Sequence, residues 1–239
     1  MLEPPQAIIR IVPSGGAKTI SQIYNQWMYL SRDGELQLQR SNRYLGVMLP
    51  SKHFKDVAQS WALQTGNYQL GQPERDSKQD LTTHIIVSFP PGTDMEAAFS
   101  AGRAWAEEMF GSGRNGGTFD YLTACHSDRA HPHVHLVINR RALEGHWLKI
   151  SRRHAFLSYE KLRLALVDVA QHHGITLEAT SRSERGIIEP PITYAEYRRR
   201  SRRTTVPGEG DERPAAAADA QPFSTSISAR ARSPISKQS

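Results

Sequence analysis

The sequence predicts an α/β or α+β sandwich built around one sheet. Two observations carry this: short β-branched runs alternate with stretches of helical period, and two of the runs follow each other closely enough to form a hairpin. With 239 residues, 38% of them hydrophobic, the chain can bury a real core, and one domain plus a tail is expected.

Taken in order, AIIRIVP (Ala7 to Pro13) is short, β-branched and stopped by Pro13, Gly15 and Gly16, which reads as a strand and turn. From Lys18 to about Arg32 the period becomes helical, with Ile20, Ile23, Tyr24, Trp27 and Leu30 on one face. Ser51 to Leu63 is a second helix, followed by the polar loop GQPERDSKQD. LTTHIIVSFPPG (Leu81 to Gly92) is the clearest strand, closed by a proline pair. Asp94 caps a third helix through Ala97, Ala101, Trp105 and Met109. FDYLTACHSD and HPHVHLVINRR read as an antiparallel hairpin, WLKI as a short strand, Tyr159 to His173 as a helix, and TYAEYRRRSRR as a last helical piece ending near Arg203. Residues 204–239 have almost no aromatics and are expected to be a disordered tail. That leaves 1–203 as the folded domain. There is no internal repeat.

Composition narrows the function. The formal net charge is +6 and the pI about 9.6, which points to a polyanionic partner. The single cysteine, Cys125, excludes an intramolecular disulfide and a cysteine-based zinc cluster, and fits a reducing compartment. No run approaches a membrane span, and the N-terminus lacks a signal-peptide pattern. The expectation is a soluble chain made in the cytoplasm, without membrane insertion.

The chemistry concentrates in CHSDRAHPHVHLVINRR, which holds four histidines between Cys125 and Arg141. On a strand, His133, His135, Val137 and Asn139 share one face, while Val134, Leu136 and Ile138 share the other. Two imidazoles two residues apart lie roughly 6–7 Å apart along the strand. Both can converge on an ion about 2 Å from each. A hairpin returns His126 to the same sheet edge as a third ligand. Histidine-only ligation suits a divalent ion with open coordination positions, able to bind a phosphate oxygen. Asp128, His131 and Asn139 are then candidates to fix imidazole tautomers from behind. A structural zinc with His131 as fourth ligand is the alternative at this point.

A metal–phosphate site needs an attacking group. On the first helix Tyr24 falls on the apolar stripe, whereas Tyr29 lies nearly opposite its centre. Off-stripe tyrosines are commonly just exposed, so position alone assigns no role.

Four blocks carry a family resemblance: IIRIVPSGGAKT with QWMYLSR, LTTHIIVSFPPGTD, HSDRAHPHVHLVINRR, and WLKISRRH with SRSERG. Together, in this order over roughly residues 7–200, they resemble the conjugative relaxases of the histidine-hydrophobe-histidine endonuclease superfamily, in particular those of the T-DNA border endonuclease type. The resemblance implies an α+β relaxase fold, ferredoxin-like, with a central five-stranded antiparallel sheet flanked by helices and the histidine strands in its middle. It implies that Tyr29 attacks a scissile DNA phosphate, leaving a free 3′-hydroxyl and a 5′-phosphotyrosyl link. Ser88 matches a serine associated with DNA beside the nick. His126, His133 and His135 match the histidines that bind the metal, a divalent ion such as magnesium or manganese. Some relatives have an acidic residue at the place of Ala130, which leaves Asp128 as the catalytic acid of this block. The implied partners are single-stranded border or transfer-origin DNA, a small accessory DNA-binding protein and a type IV secretion coupling protein. Export of the DNA-bound protein into a recipient or host cell would follow.

A phenol with pKa near 10 needs a nearby cation and a base to become a nucleophile. In-line transfer to tyrosine conserves bond energy, so the nick can be resealed. The basic pairs Arg140–Arg141 and Arg152–Arg153 suit phosphate tracking, as does the cluster from Arg198 to Arg203. The last cluster also reads as a helix end stabilised by its dipole or as a nuclear address. GSGRNG fits a dinucleotide-binding pattern only formally, because it follows a helix and precedes a strand. Two rivals remain open: a rolling-circle initiator or transposase of the same superfamily, and a non-catalytic DNA-binding protein with a structural zinc.

Overall fold

The computed structural model of the chain describes residues 5–74, 77–127 and 131–180. The last helical piece around TYAEYRRRSRR, the tail and Asp128 lie outside these residues.

Six strands form one antiparallel sheet: β1 (Ile8–Ile11), β2 (Leu38–Arg40), β3 (Met48–Leu49), β4 (Thr82–Ser88), β5 (Tyr121–His126) and β6 (His133–Asn139). Their spatial order is β1-β4-β6-β5-β2-β3, which puts the two histidine-bearing strands in the centre. The four helices are α1 (Ile20–Leu30), α2 (Phe54–Thr65), α3 (Met95–Ala106) and α4 (Tyr159–His172). This is the expected α+β class with the strand count corrected from five to six. The expected strand at WLKI is absent: Trp147 makes one isolated bridge to Arg141, while Leu148 and Ile150 serve as apolar contacts against the core. β2 and β3 were not foreseen, because three and two residues are too few to display a period of two.

Strand alternation divides the core into two layers. Ile85, Val87, Val134, Leu136 and Ile138 face α3 and α4, meeting Ala101, Trp105, Leu162 and Leu166. Leu122, Ala124 and Val137 face α1 and α2, meeting Ile23, Trp27, Leu30, Phe54 and Trp61. Trp27 and Trp61 stack edge to face with centroids 4.9 Å apart and are both buried, so they are core residues rather than platforms for bases. Tyr24 packs partly buried against the same cluster.

Helix starts follow the side-chain chemistry. Thr19 Oγ1 accepts from the Gln22 amide at 3.1 Å, Asp94 Oδ1 from Ala97 at 2.8 Å and Ser158 Oγ from Lys161 at 3.2 Å, each satisfying a donor the helix cannot. α3 continues into a wider π turn over Glu107–Gly111, and Gly113 then bridges Gly117 in a tight turn into β5.

α3 crosses β6 at Gly102, where an added Cβ would lie 2.6 Å from Val134 Cγ2. Alanine in a helix gains about 0.5–1 kcal/mol over glycine. Overpacking a buried contact costs about 1–3 kcal/mol, so the clash wins. Gly102→Ala is therefore expected to lower the urea midpoint with an unchanged slope; an equal or higher midpoint would show that the helix moves away at little cost.

Candidate active site

The same alternation that builds the core sets aside one end of the α1/α2 face for polar groups. On β6 the buried residues Leu136 and Ile138 hold the opposite face, so His133 and His135 point toward α1. His126 lies directly across from His133, and Ala124 across from His135. The small Ala124 side chain leaves room for the rings. One ring nitrogen from each of His126, His133 and His135 lies within 4.8 Å of the others, and all three residues are buried. Among the described residues this is the group of histidine, cysteine or acidic side chains placed to hold a metal ion.

The outward ring atoms have defined partners. His126 Nε2 donates to the Leu30 carbonyl at 2.8 Å, since a carbonyl can only accept. That carbonyl is one of the last of α1, which the helix leaves without an internal partner. The imidazole thus caps α1 and ties its end to the histidine cluster. His133 Nδ1 donates to the His131 carbonyl at 3.3 Å, so His131 acts here through its backbone while its ring stays exposed. His135 Nδ1 and His84 Nε2 are 2.8 Å apart. Burial, and then the nearby His126, lower the His84 pKa to about 4, which keeps that ring neutral at physiological pH.

Tyr29 sits on the last turn of α1, one residue before the capped carbonyl. Its neighbours Trp27 and Leu30 are buried, and Tyr29 itself is 72% exposed. It lines a cavity of about 390 Å³ together with His126, His133, His135 and Ser88. The chain turns sharply after α1: Arg32, Asp33 and Gly34 all have positive φ (51°, 57° and 93°), and buried Ser31 braces the turn by donating to Met28 and accepting from Gly34. This turn brings Arg32 to the cavity. From β1, Ile8 and Arg10 line the opposite wall, in register with Ser88 and Ile86.

The structure therefore brings Tyr29, Ser88 and the four histidines His126, His131, His133 and His135 to one cavity, and adds Arg10, Arg32 and His84 to the neighbourhood. Their signals were present. Arg10 interrupts an isoleucine run in phase with Ile8, and His84 shares the phase of Ser88 on the same strand. Other expected residues lie elsewhere. Asn139 is fully buried two steps beyond Val137, where its amide donates to Gln64 and its oxygen accepts from the Arg141 amide. It therefore holds the end of β6 and makes no hydrogen bond to the histidines. Arg140 donates to the Leu148 carbonyl, and Arg141 stacks over Trp147 at 5.6 Å. Arg152 and Arg153 are exposed on the loop before α4. None of these four arginines lines the histidine cavity. Cys125 points to the other side of the sheet, toward Arg103, and so away from the histidine cluster.

A six-stranded antiparallel sheet with a buried histidine triad beside an exposed helix-end tyrosine is the arrangement of a relaxase nuclease domain. Residues 29–175 match the family model of MobA/VirD2-like relaxases, nuclease domain, and the chain belongs to that family. It is 57% identical over 203 residues to the T-DNA border endonuclease VirD2 of Rhizobium rhizogenes, and 58% identical over 203 residues to that of Rhizobium radiobacter. Each match takes in 84% of this chain but 47% and 48% of those relatives, so the chain spans about half their length. The fold is that of the MobM relaxase domain, a MOBV protein solved with pMV158 oriT DNA. The TM-score is 0.51 at 15% identity, over 80% of this chain and 99% of that one. No helix among the described residues is long and apolar enough to cross a membrane.

Proposed function

We propose that this chain is the DNA-nicking domain of a border endonuclease, acting on one strand of border or transfer-origin DNA by tyrosine transesterification. The observation that carries this is the placement of an exposed Tyr29 on the wall of the cavity that holds the histidine triad. In the reaction the Tyr29 oxygen bonds to the scissile phosphorus, and the bond from phosphorus to the 3′ oxygen breaks. The 3′ oxygen leaves with a proton as a hydroxyl, and the 5′ end stays on Tyr29 as a phosphodiester. Bond number and type are conserved, which makes the step reversible.

The residues suit a divalent metal ion. Three imidazoles with no thiolate, buried and with ring nitrogens within 4.8 Å, provide a set of nitrogen donors that leaves coordination positions for substrate. His126, His133 and His135 would hold the ion, magnesium or manganese. When bound, it would draw negative charge from a phosphoryl oxygen. The protein's own groups do the rest. Arg10 and Arg32 flank Tyr29 and bind the remaining phosphate oxygens. Ser88, at the end of β4, contacts the nucleotide beside the nick, and Asp128 serves as the acid that handles the proton. Arg140, Arg141, Arg152 and Arg153 contact DNA phosphates away from the cleaved bond. The nicking unit takes in residues 1–203. An accessory DNA-binding protein and a type IV secretion coupling protein are its expected partners, with passage of the bound strand to a recipient cell.

The test is a single-stranded oligonucleotide carrying a border sequence, incubated with the protein and Mg²⁺ or Mn²⁺. A denaturant-resistant adduct whose tryptic peptide carries the nucleotide on Tyr29 is expected, and EDTA should prevent it. Absence of adduct with every divalent ion tried sinks the proposal. Cleavage without adduct would make the protein a water-using nuclease instead.

A further inference from the structure

We infer that His84 is a positioning residue that orients the metal ligand His135 from behind. The inference rests on the reading that the triad holds a divalent ion. His84 and His135 sit on adjacent strands as diagonal neighbours: His84 is opposite Val137, and His135 opposite Ile86. Their rings approach to a centroid distance of 5.1 Å, with His84 Nε2 2.8 Å from His135 Nδ1. Both are buried, at 9% and 8% exposure, so water does not compete for this contact.

His84 is placed to act through His135 and not on the substrate. It is outside the group of nitrogens that converge as a metal site. It does not line the cavity shared by Tyr29 and the triad; it lines a separate cavity of about 220 Å³ beside Asp80, Thr82 and Arg140. A ligating histidine needs its other ring nitrogen held by an acceptor, which fixes tautomer and ring angle and raises the basicity of the coordinating nitrogen. His126 and His133 obtain this from the backbone carbonyls of Leu30 and His131. At His135 the corresponding nitrogen meets His84. The proton on His135 Nδ1 is donated to His84 Nε2, and coordination falls to His135 Nε2. Carboxylates commonly fill such a place; here a neutral imidazole does so.

The inference is tested on Mn²⁺ binding to the DNA-free protein, followed by electron paramagnetic resonance, and on the histidine tautomers seen by long-range ¹⁵N–¹H NMR of the metal-free protein. Wild type is expected to show His135 protonated on Nδ1. His84→Leu, which offers no acceptor, is expected to weaken Mn²⁺ about 10–100-fold. His84→Gln, whose carbonyl reaches the place of Nε2, is expected to restore most of the affinity. Equal Mn²⁺ affinity in His84→Leu overturns the inference, as does wild-type His135 protonated on Nε2; the second reading needs no variant and holds even where His84→Leu fails to fold. Wild type without Mn²⁺ affinity overturns the metal reading itself, and the inference with it.

Discussion

Tyr29→Phe is expected to abolish the covalent protein–DNA adduct while leaving the fold and Mn²⁺ affinity unchanged. The side chain is 72% exposed, and α1 is held by the buried Ile23, Trp27 and Leu30, which the change leaves in place. Loss of an exposed hydroxyl falls within about 0.5 kcal/mol in stability. The chemical loss is of another order, because without the nucleophile no phosphotyrosine forms. Only attack by water would remain, and adduct yield should drop below detection, at least about 10³-fold. The measurement is denaturing electrophoresis of a labelled oligonucleotide, with circular dichroism and Mn²⁺ titration alongside. Tyr24→Phe is the control: Tyr24 lies on the buried stripe of α1, and its variant should still form adduct. Undiminished adduct in Tyr29→Phe would move the nucleophile to another residue.

His133→Ala and His126→Ala are expected to lose Mn²⁺ binding and adduct formation alike, but to differ in stability. Either change leaves two of the three converging nitrogens. A metal's stabilisation of developing phosphate charge is worth several kcal/mol, so adduct formation should slow by about 10³-fold or more in both. His126 has a second task, because its Nε2 donates to the Leu30 carbonyl at the end of α1. Removing it leaves a buried acceptor unsatisfied, at a cost of about 1–3 kcal/mol. The bond of His133 to the carbonyl of its near neighbour His131 is longer, 3.3 Å, and ties no helix end to the sheet. Urea denaturation in EDTA should therefore show a lower midpoint for His126→Ala than for His133→Ala. Equal midpoints would mean that the cap on α1 contributes nothing. The comparison also asks whether the histidine cluster sets the position of Tyr29, since the capped carbonyl is its immediate neighbour in the chain.

The sequence by itself determined the strands that carry the chemistry and which side chains share a face. Alternation in HVHLVIN put His133 and His135 opposite Val134, Leu136 and Ile138, and helical period put Tyr29 off the stripe of Ile23, Trp27 and Leu30; both hold in the fold. These are one-dimensional properties, since a side chain's direction follows from its place in a repeat of 2.0 or 3.6. The pairing of Tyr29 with histidines about a hundred residues later came from family resemblance, because no local period relates an N-terminal helix to a central hairpin. Tertiary structure alone decided what depends on register and on loops. β2 and β3 are too short to announce themselves, and their place beside β5 is a matter of long-range pairing. Asn139 shares the histidines' face but sits two steps too far along it, and so bonds to Gln64. Arg140 and Arg141 are near in sequence and away from the cavity, whereas Arg10 and Arg32 reach it through strand order and a left-handed turn. The contact of His84 with His135 follows from the β4–β6 register, which the phase of each strand leaves open and only the assembled sheet sets.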